Sequence, residues 1–164
     1  MRKELAGLSP QARRHEPFQQ GIYASDFSER TYLALFAQAG TLLQAGSSVI
    51  LDASFKREQD RAAALNLAQQ MRADFLLIEC RCADEIIQNR LSGRLRKENE
   101  PSDGRWEIFR GQKEIFEKIR GWDPDLHLCL DTCLPLEECL QRIFRHLLQR
   151  EAKVFKQEKK EVGR

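Results

Sequence analysis

The stretch SVILDASF, residues 48–55, is an apolar run that ends in one carboxylate and two small residues. Val49, Ile50 and Leu51 predict a short buried strand, because consecutive apolar residues suit a strand that is covered on both faces. Asp52 then stands at the carboxyl end of that strand, where ligands bind in open parallel sheets. Asp52 can hold Mg²⁺ through water or accept a proton from a substrate hydroxyl, and it can equally cap the next helix.

Two further apolar runs, Phe75–Glu79 and His127–Leu130, predict strands, and helical patterns separate the three runs. The predicted helices cover 25–46, with Ser25 or Ser28 as the cap and Gly46 as the end, then 57–72, 83–96, 104–120 and a stretch beginning near Pro135. Strands that alternate with helices predict an α/β fold with a parallel sheet covered on both faces.

Size and composition exclude several classes of protein. The 164 residues suit one domain, and the net charge of +2 does not by itself imply a nucleic-acid or membrane partner. No apolar stretch approaches the roughly 20 residues of a membrane span, and the first thirty residues contain no signal-peptide core. The five cysteines are an odd set without metal-ligand clustering, which predicts small buried hydrophobic residues in a reducing cytoplasm.

The segment RLRKENEPSDGRW, residues 94–106, breaks the alternation, because it is charged and joins two predicted helices. Such an insertion is either a mobile cover over a site or an ordinary polar connection, and the pattern leaves both open. In NRLSGRLRK, Arg90 and Arg94 are four residues apart and therefore share a helical face. Two guanidinium groups on one face suit a polyphosphate, although a solvated basic face has the same spacing.

The order of several motifs resembles a known family. RKELAGLSP, GIYASDFSERTY, SVILDASF, ECRCADEIIQNRLSGR and PSDGRWEIFRGQKEIFE closely resemble bacterial P-loop kinase-like ATPases. These are often described as AAA-family ATP-binding proteins, and they occur fused behind an aminoglycoside-phosphotransferase-like domain. The resemblance implies a P-loop NTPase fold of the nucleoside- or adenylate-kinase-like kind, in which three α/β/α layers enclose a parallel sheet with a helical lid insertion.

The resemblance also implies roles for residues on the side of the phosphate acceptor. Asp52 is expected near Mg²⁺ or the accepting hydroxyl, as the catalytic carboxylate and as a metal ligand. Arg2 lies in a helix that in relatives follows an acidic substrate-side position, and Ser54 is expected to contact substrate with it.

On the nucleotide side, the resemblance implies that Arg90 lies against the adenine and that Arg94 reaches the transferring phosphate from the lid. The segment from Thr132 to Pro135 is expected to border the base. Asp103 matches a lid position for which the resemblance supplies no role. The implied cofactors are ATP and Mg²⁺.

One part of the family pattern is missing from these residues. There is no G-x-x-x-x-G-K-[ST] motif, and none of the nine glycines is followed by lysine. The expectation is therefore a core over 1–150 without the first strand and phosphate loop, with a lid at about 90–106 and a charged, frayed tail at 151–164. The loop is expected upstream of Met1, on a strand that in relatives lies between the equivalents of Val49–Leu51 and Phe75–Glu79.

The expected function is that of an ATP-dependent phosphotransferase, a small-molecule kinase in the cytoplasm that is weak or inactive as this chain alone. Its expected acceptor is a small hydroxylated molecule. One alternative is a non-catalytic remnant that acts as an interaction module. A second is a kinase for polynucleotide 5′ ends, which the near-neutral charge disfavours.

Overall fold

The computed structural model describes residues 1–9, 12, 20–95 and 104–162. The chain divides into two units, the first made of Met1–Asp74 with Gln88–Ile119 and the second of Phe75–Ile87 with Arg120–Arg164. The elements in chain order are α1 (Arg2–Leu5), a short 3-10 turn (Gly21–Tyr23), α2 (Ser25–Gln44), α3 (Glu58–Gln70), β1 (Leu77–Arg81), α4 (Asp84–Leu95), α5 (Trp106–Glu114), β2 (His127–Asp131) and α6 (Leu136–Val162).

The first unit is built on α2 and α3. A Cβ added at Gly40 of α2 would lie 3.6 Å from the Leu67 side chain, which is an ordinary van der Waals distance, so the two helices are close neighbours at this point. The predicted end of α2 is confirmed, since the chain leaves the helix through Gly46 in the left-handed region (φ +78°). The predicted serine caps are wrong, because the N-cap is Ala24 and no side chain caps it.

The strand predicted at Val49–Leu51 does not form in the described structure. Residues 47–52 have no regular secondary structure, and Ile50 is 94% exposed. A strand requires a neighbour for its backbone N–H and C=O groups, and none of the described residues pairs with this segment. The sequence predicted that Asp52 and Ser54 lie at the edge of a sheet. This prediction is wrong for the described structure, because no strand precedes them.

The second unit contains the described sheet, in which β1 and β2 run parallel from Leu77↔His127 to Arg81↔Asp131. Strand β1 begins and ends two residues later than predicted, and β2 extends one residue further, to Asp131. Helix α6 packs against β2, where Leu130 and Cys139 are buried. The described fold thus consists of helices and a two-stranded parallel sheet, which is compatible with α/β, while the three-layer sheet stays a prediction.

Two helices end elsewhere than predicted. Helix α5 covers Trp106–Glu114 rather than 104–120, because the backbone N–H of Glu117 turns away to donate to the carbonyl of Lys56 at 2.9 Å. Helix α6 continues to Val162, through the segment expected to be a frayed tail. Within the described ranges no helix is long and apolar enough to cross a membrane.

The cysteines also differ from expectation. Cys139 is buried, as a small hydrophobic side chain would be. Cys80, Cys129 and Cys133 are exposed, however, and Cys82 is half-buried. The prediction of buried cysteines is therefore confirmed for Cys139 and wrong for the three exposed ones.

Candidate functional site

The loop after Asp52 is held in an unusual backbone conformation in the first unit. Phe55 adopts φ +41°, a region that a non-glycine residue enters only when its surroundings hold it there. The hydroxyl of the buried Tyr32 accepts a hydrogen bond from the Phe55 N–H at 2.8 Å. The two rings meet edge to face with their centroids 5.3 Å apart, so Tyr32 fixes both the backbone and the side chain of Phe55.

Arg61 fastens the other side of the same loop. Its side chain is fully buried, and its guanidinium donates to the carbonyl oxygen of Phe55 at 2.7 Å and to that of Glu117 at 2.8 Å. The same group pairs with the Glu58 carboxylate at 2.7 Å and lies over the Phe116 ring. A buried cation is tolerated only where such partners surround it, so Arg61 acts as a structural cross-link between two loops.

Arg2 approaches this region from α1. Its guanidinium donates to the carbonyl of Ile22 and to the Ser28 hydroxyl, the latter at 3.1 Å, and it lies over the Tyr23 ring at 5.3 Å. Burial lowers the pKa of Arg2, while the neighbouring Tyr23 and Tyr32 act in the opposite direction. Arg2 is therefore a half-buried cation that contacts a carbonyl, a hydroxyl and an aromatic ring.

Lys56 and Arg57 add two more cations beside Arg2. Burial lowers the pKa of Lys56, and the positive charges of Arg57 and Arg2 lower it further, whereas Asp60 opposes them. Arg57 is paired with Asp60 through two hydrogen bonds of 2.9 Å and with Glu29 at 3.3 Å, and these pairings raise its pKa. We call Arg2, Lys56 and Arg57 the cation cluster; the positive charges of Arg57 and Arg2 disfavour the charged form of Lys56.

Asp52 and Ser54, which the sequence predicted to contact the phosphate acceptor, are close in sequence to the cation cluster. Ser54 is exposed, and its Oγ lies 3.5 Å from the Tyr32 hydroxyl. Asp52 is exposed and forms no hydrogen bond or ion pair with any residue that the structure describes. The structure thus brings Ser54 to Tyr32 but leaves Asp52 open to solvent, available to an incoming hydroxyl or cation.

Arg90 and Arg94 lie on α4 as predicted, one turn apart and both exposed. They belong to the first unit, together with Arg2, Asp52 and Ser54. No contact among the described residues joins Arg94 to Asp52. The lid predicted at about 90–106 is described only at its two ends, and Asp103 lies outside the described residues.

Thr132 belongs to the second unit, at the carboxyl edge of the sheet. Its N–H and its hydroxyl both donate to the carbonyl of Arg81, at 2.7 and 3.0 Å. These bonds close the turn after β2 onto the end of β1, while the Asp131 carboxylate accepts the N–H of Cys133 at 2.9 Å. This hydrogen bond from Cys133 lowers the pKa of Asp131. Thr132 thus lies at the carboxyl edge of the described sheet.

Sequence reasoning missed the residues that organise the first unit. The sequence pattern assigned no functional role to Tyr32, Lys56, Arg57 or Arg61. A signal was present in α3, because Asp60 and Arg61 share a helical face with Ala64 and Ala68. Charged side chains on a face of small residues indicate a buried polar contact rather than a solvated surface.

A magnesium site needs several oxygen ligands close together. In the part of the chain that the structure describes, no group of three or more histidine, cysteine, aspartate or glutamate side chains is placed to hold a metal ion. Asp52 by itself supplies one carboxylate, which suits a cation held mainly by substrate phosphates and water but does not build a metal site.

Comparison with known proteins finds one family. A family model described as "AAA domain" matches residues 1–119 of the chain. No curated protein and no solved structure matches the chain significantly. The match covers α1 through α5 and so includes the cation cluster, Asp52, Arg90 and Arg94.

Proposed function

This chain belongs to the AAA domain family, and from that premise we propose that it functions as an ATP-dependent phosphotransferase acting on a small hydroxylated molecule. The family is P-loop NTPase-like and generally binds ATP with Mg²⁺. Phosphoryl transfer depends on cations that position and neutralise phosphate oxygens, and on a group that orients the attacking hydroxyl. In the proposal, the first unit supplies both kinds of group.

The cation cluster is the observation that carries this proposal. Arg2, Lys56 and Arg57 are near enough for their charges to depress the pKa of Lys56, and the nearby carboxylates of Asp60 and Glu29 are engaged by Arg57. An anion that bound between Arg2 and Lys56 would relieve their repulsion and gain charge-assisted hydrogen bonds. The hydroxyls of Tyr32 and Ser54 lie beside this position and can orient a polar acceptor.

Asp52, Arg90 and Arg94 complete the proposed assignment. The carboxylate of Asp52 is exposed next to Ser54 and accepts the proton of the substrate hydroxyl. Arg90 and Arg94 project from one face of α4, with Arg94 directed to the transferring phosphate and Arg90 to the adenine.

The residues in hand do not fit a complete ATP site. The 164 residues contain no G-x-x-x-x-G-K-[ST] motif, which supplies the backbone cradle, the phosphate-binding lysine and the hydroxyl that binds Mg²⁺. We therefore assign to this chain the residues that contact the phosphate acceptor and the arginines of the lid, and we assign no catalytic step to Mg²⁺.

A binding experiment tests the cation cluster. Inorganic phosphate is titrated into the intact chain by calorimetry, alongside Arg2→Lys, Lys56→Ala and the control Arg110→Ala, which removes an exposed arginine of α5. We expect wild type and the control to bind alike and Lys56→Ala to bind about tenfold more weakly, because one charge-assisted hydrogen bond contributes about 1.5 kcal/mol. Circular dichroism of each variant checks its fold. Failure of the wild-type chain to bind phosphate would reject the proposed site.

A transfer experiment tests the chemistry. The gene product is read with any in-frame codons that precede Met1 and is incubated with labelled ATP, Mg²⁺ and a set of small hydroxylated compounds. Asp52→Asn and Arg94→Ala are expected to abolish transfer while leaving the melting temperature unchanged, since both side chains are exposed. Retained turnover in Asp52→Asn would remove Asp52 from the mechanism. Labelling of an oligonucleotide 5′ end instead of the small compounds would favour a polynucleotide kinase.

A further inference from the structure

Two cysteines face each other where the strands of the second unit end. Cys82 follows β1 directly, and Cys133 comes two residues after the end of β2. Their sulfur atoms are 3.0 Å apart although the residues are 51 positions apart in sequence. Cys133 is exposed and Cys82 is half-buried, so a small molecule in solution can reach the pair.

Backbone hydrogen bonds hold this pair in place. Thr132 donates twice to the carbonyl of Arg81, which ties the turn that carries Cys133 to the end of β1. The Cys133 N–H is held by the Asp131 carboxylate, and the N–H of Ala83 points at the Cys133 sulfur at 3.4 Å. These hydrogen bonds hold the backbone of the two cysteines close together, so their side chains can bring the sulfurs into contact.

We propose that Cys82 and Cys133 form a redox-modification site that closes to an intramolecular disulfide by exchange with a small-molecule disulfide such as oxidised glutathione. A disulfide bond is about 2.05 Å long, so the two sulfurs need to approach by about 1 Å. This inference concerns the second unit and does not depend on the proposed phosphotransferase function.

The exchange is balanced in two steps. One protein thiolate attacks a sulfur of oxidised glutathione, which forms a mixed disulfide and releases one glutathione thiolate. The second protein thiolate then attacks the protein sulfur of that mixed disulfide and releases the second glutathione. The two protons lost by the protein thiols are taken up by the two glutathiones, so two protein thiols are oxidised and one disulfide molecule is reduced.

The strand register excludes a competing bond between the two other exposed cysteines. Cys80 is paired with Leu130, whereas Cys129 is paired with Glu79. Neighbouring residues of a strand point to opposite faces of the sheet, so the Cys80 and Cys129 side chains lie on opposite faces. Cys139 is buried on α6, and its thiol donates to the carbonyl of Asp131.

The surroundings of Cys133 also indicate how the exchange depends on pH. The hydrogen bond with the Cys82 thiol raises the pKa of Cys133, the Ala83 N–H lowers it, and the Asp131 carboxylate raises it again, with a net upward shift. The thiolate is the attacking species, so exchange is slower at neutral pH than for an ordinary cysteine. The rate should increase as the pH rises through the raised pKa.

Thiol counting and peptide mapping test the proposal on the intact chain. The protein is incubated without air in excess oxidised glutathione, unreacted glutathione is removed, and remaining thiols are blocked before digestion. We expect Cys82 and Cys133 to be lost together to one internal disulfide, whereas the exposed Cys80 and Cys129 can gain glutathione but form no cross-link, and dithiothreitol to restore all of these thiols. Trypsin places Cys82 in peptide 82–90, whereas 121–142 contains the other three candidates, Cys129, Cys133 and Cys139. Fragment ions that separate these three must therefore identify Cys133.

Three variants make the outcome decisive. Cys82→Ser and Cys133→Ser should each form no internal disulfide and instead keep glutathione on the remaining partner. The control Cys129→Ser removes an exposed cysteine outside the pair and should still form the Cys82–Cys133 bond. A stable glutathione adduct on wild-type Cys82 or Cys133 without a cross-link would overturn the proposal, as would a cross-link through Cys80, Cys129 or Cys139.

Discussion

The two units of the chain satisfy their backbone hydrogen-bonding groups in different ways. In the second unit, β1 and β2 pair with each other over five residues, from Leu77↔His127 to Arg81↔Asp131. In the first unit, the loop around Phe55 pairs with none of the described strands, and the Tyr32 hydroxyl and the Arg61 guanidinium hydrogen-bond its backbone instead. Side chains are therefore expected to stabilise the first unit strongly and the edge of the second unit only weakly.

The largest effect is expected from Arg61→Ala. This change removes the donor for the carbonyls of Phe55 and Glu117 and leaves both without that partner in a buried place. Loss of one member of a buried charged network costs about 3 kcal/mol of unfolding free energy. Urea unfolding followed by circular dichroism measures the loss, with Arg110→Ala as the exposed control. Equal urea midpoints for Arg61→Ala and Arg110→Ala would contradict the claim that buried side chains strongly stabilise the first unit.

The next effect concerns the cation cluster and its dependence on pH. Because burial, Arg57 and Arg2 lower the pKa of Lys56, this side chain loses its charge at a lower pH than an ordinary lysine. Anion binding is therefore expected to be strong below that pKa and to fall about tenfold as the pH rises through it, by the loss of about 1.4 kcal/mol. Sulfate is the suitable probe, since its own charge stays constant over this range.

The control for this experiment is Lys56→Arg, which retains its positive charge to higher pH. Its sulfate affinity is expected to stay level where that of the wild type falls. A wild-type affinity that follows the same curve as the variant would show that Lys56 does not contribute to anion binding.

Tyr32→Phe isolates a single hydrogen bond of the first unit. The ring remains and keeps its contacts with Phe36 and Phe55, but the Phe55 N–H loses its acceptor. We expect a loss of about 1 kcal/mol, with faster amide exchange at Phe55 than at residues of the β1–β2 ladder. An unchanged exchange rate at Phe55 would show that the hydroxyl does not hold this loop.

Thr132→Val is the corresponding change in the second unit, and its expected effect is smaller. The Arg81 carbonyl loses the Thr132 hydroxyl but still accepts the Thr132 N–H at 2.7 Å, so it remains hydrogen-bonded. We expect a loss of at most about 0.5 kcal/mol. Thr41→Val is the matched control, because its hydroxyl also donates to a carbonyl that lies in a regular element. A loss as large as that of Tyr32→Phe would contradict the contrast between the units.

The smallest effect is expected at the surface of the second unit. Lys153 pairs with Asp125 at 2.6 Å, and this hydrogen bond lowers the pKa of Asp125. A carboxylate with a lowered folded-state pKa contributes stability above its unfolded pKa, and that contribution is lost as the pH falls through the folded pKa. Lys153→Ala should therefore lower the melting temperature slightly near neutral pH and not at strongly acid pH.

The salt dependence of this pair gives its control. The side chains of Lys153 and Asp125 are 61% and 40% exposed, so added salt should reduce the difference between Lys153→Ala and the wild type near neutral pH. A difference that persists unchanged at high salt would indicate that Lys153 acts through packing of its aliphatic stem rather than through its charge.

Helices were the most predictable part of this fold. The three-four spacing and Gly46 placed α2, and the predicted ranges 57–72 and 83–96 placed α3 and α4 to within about two residues. Helices satisfy their own backbone within one segment, so local sequence suffices to locate them. The strands β1 and β2 were also found, with their ends shifted by up to two residues.

The candidate site was predictable only in part. Asp52, Ser54, Arg2, Arg90 and Arg94 were selected from motif order, and the structure places all five in the first unit. The roles of Tyr32, Lys56, Arg57 and Arg61 were missed, because each depends on a partner distant in sequence. Arg61 contacts the Glu117 carbonyl across 56 positions, for example, and no local pattern indicates such a contact.

The sequence alone determined the helical segments, the pair of parallel strands and membership in the AAA domain family, since each depends on residue order or on short-range spacing. The tertiary structure decided that Val49–Leu51 is not a strand among the described residues, that Arg61 is buried, and that the sulfurs of Cys82 and Cys133 meet. These outcomes depend on which distant groups become neighbours. Hydrogen bonding and burial stabilise such contacts only in the folded chain, where the distant groups are neighbours.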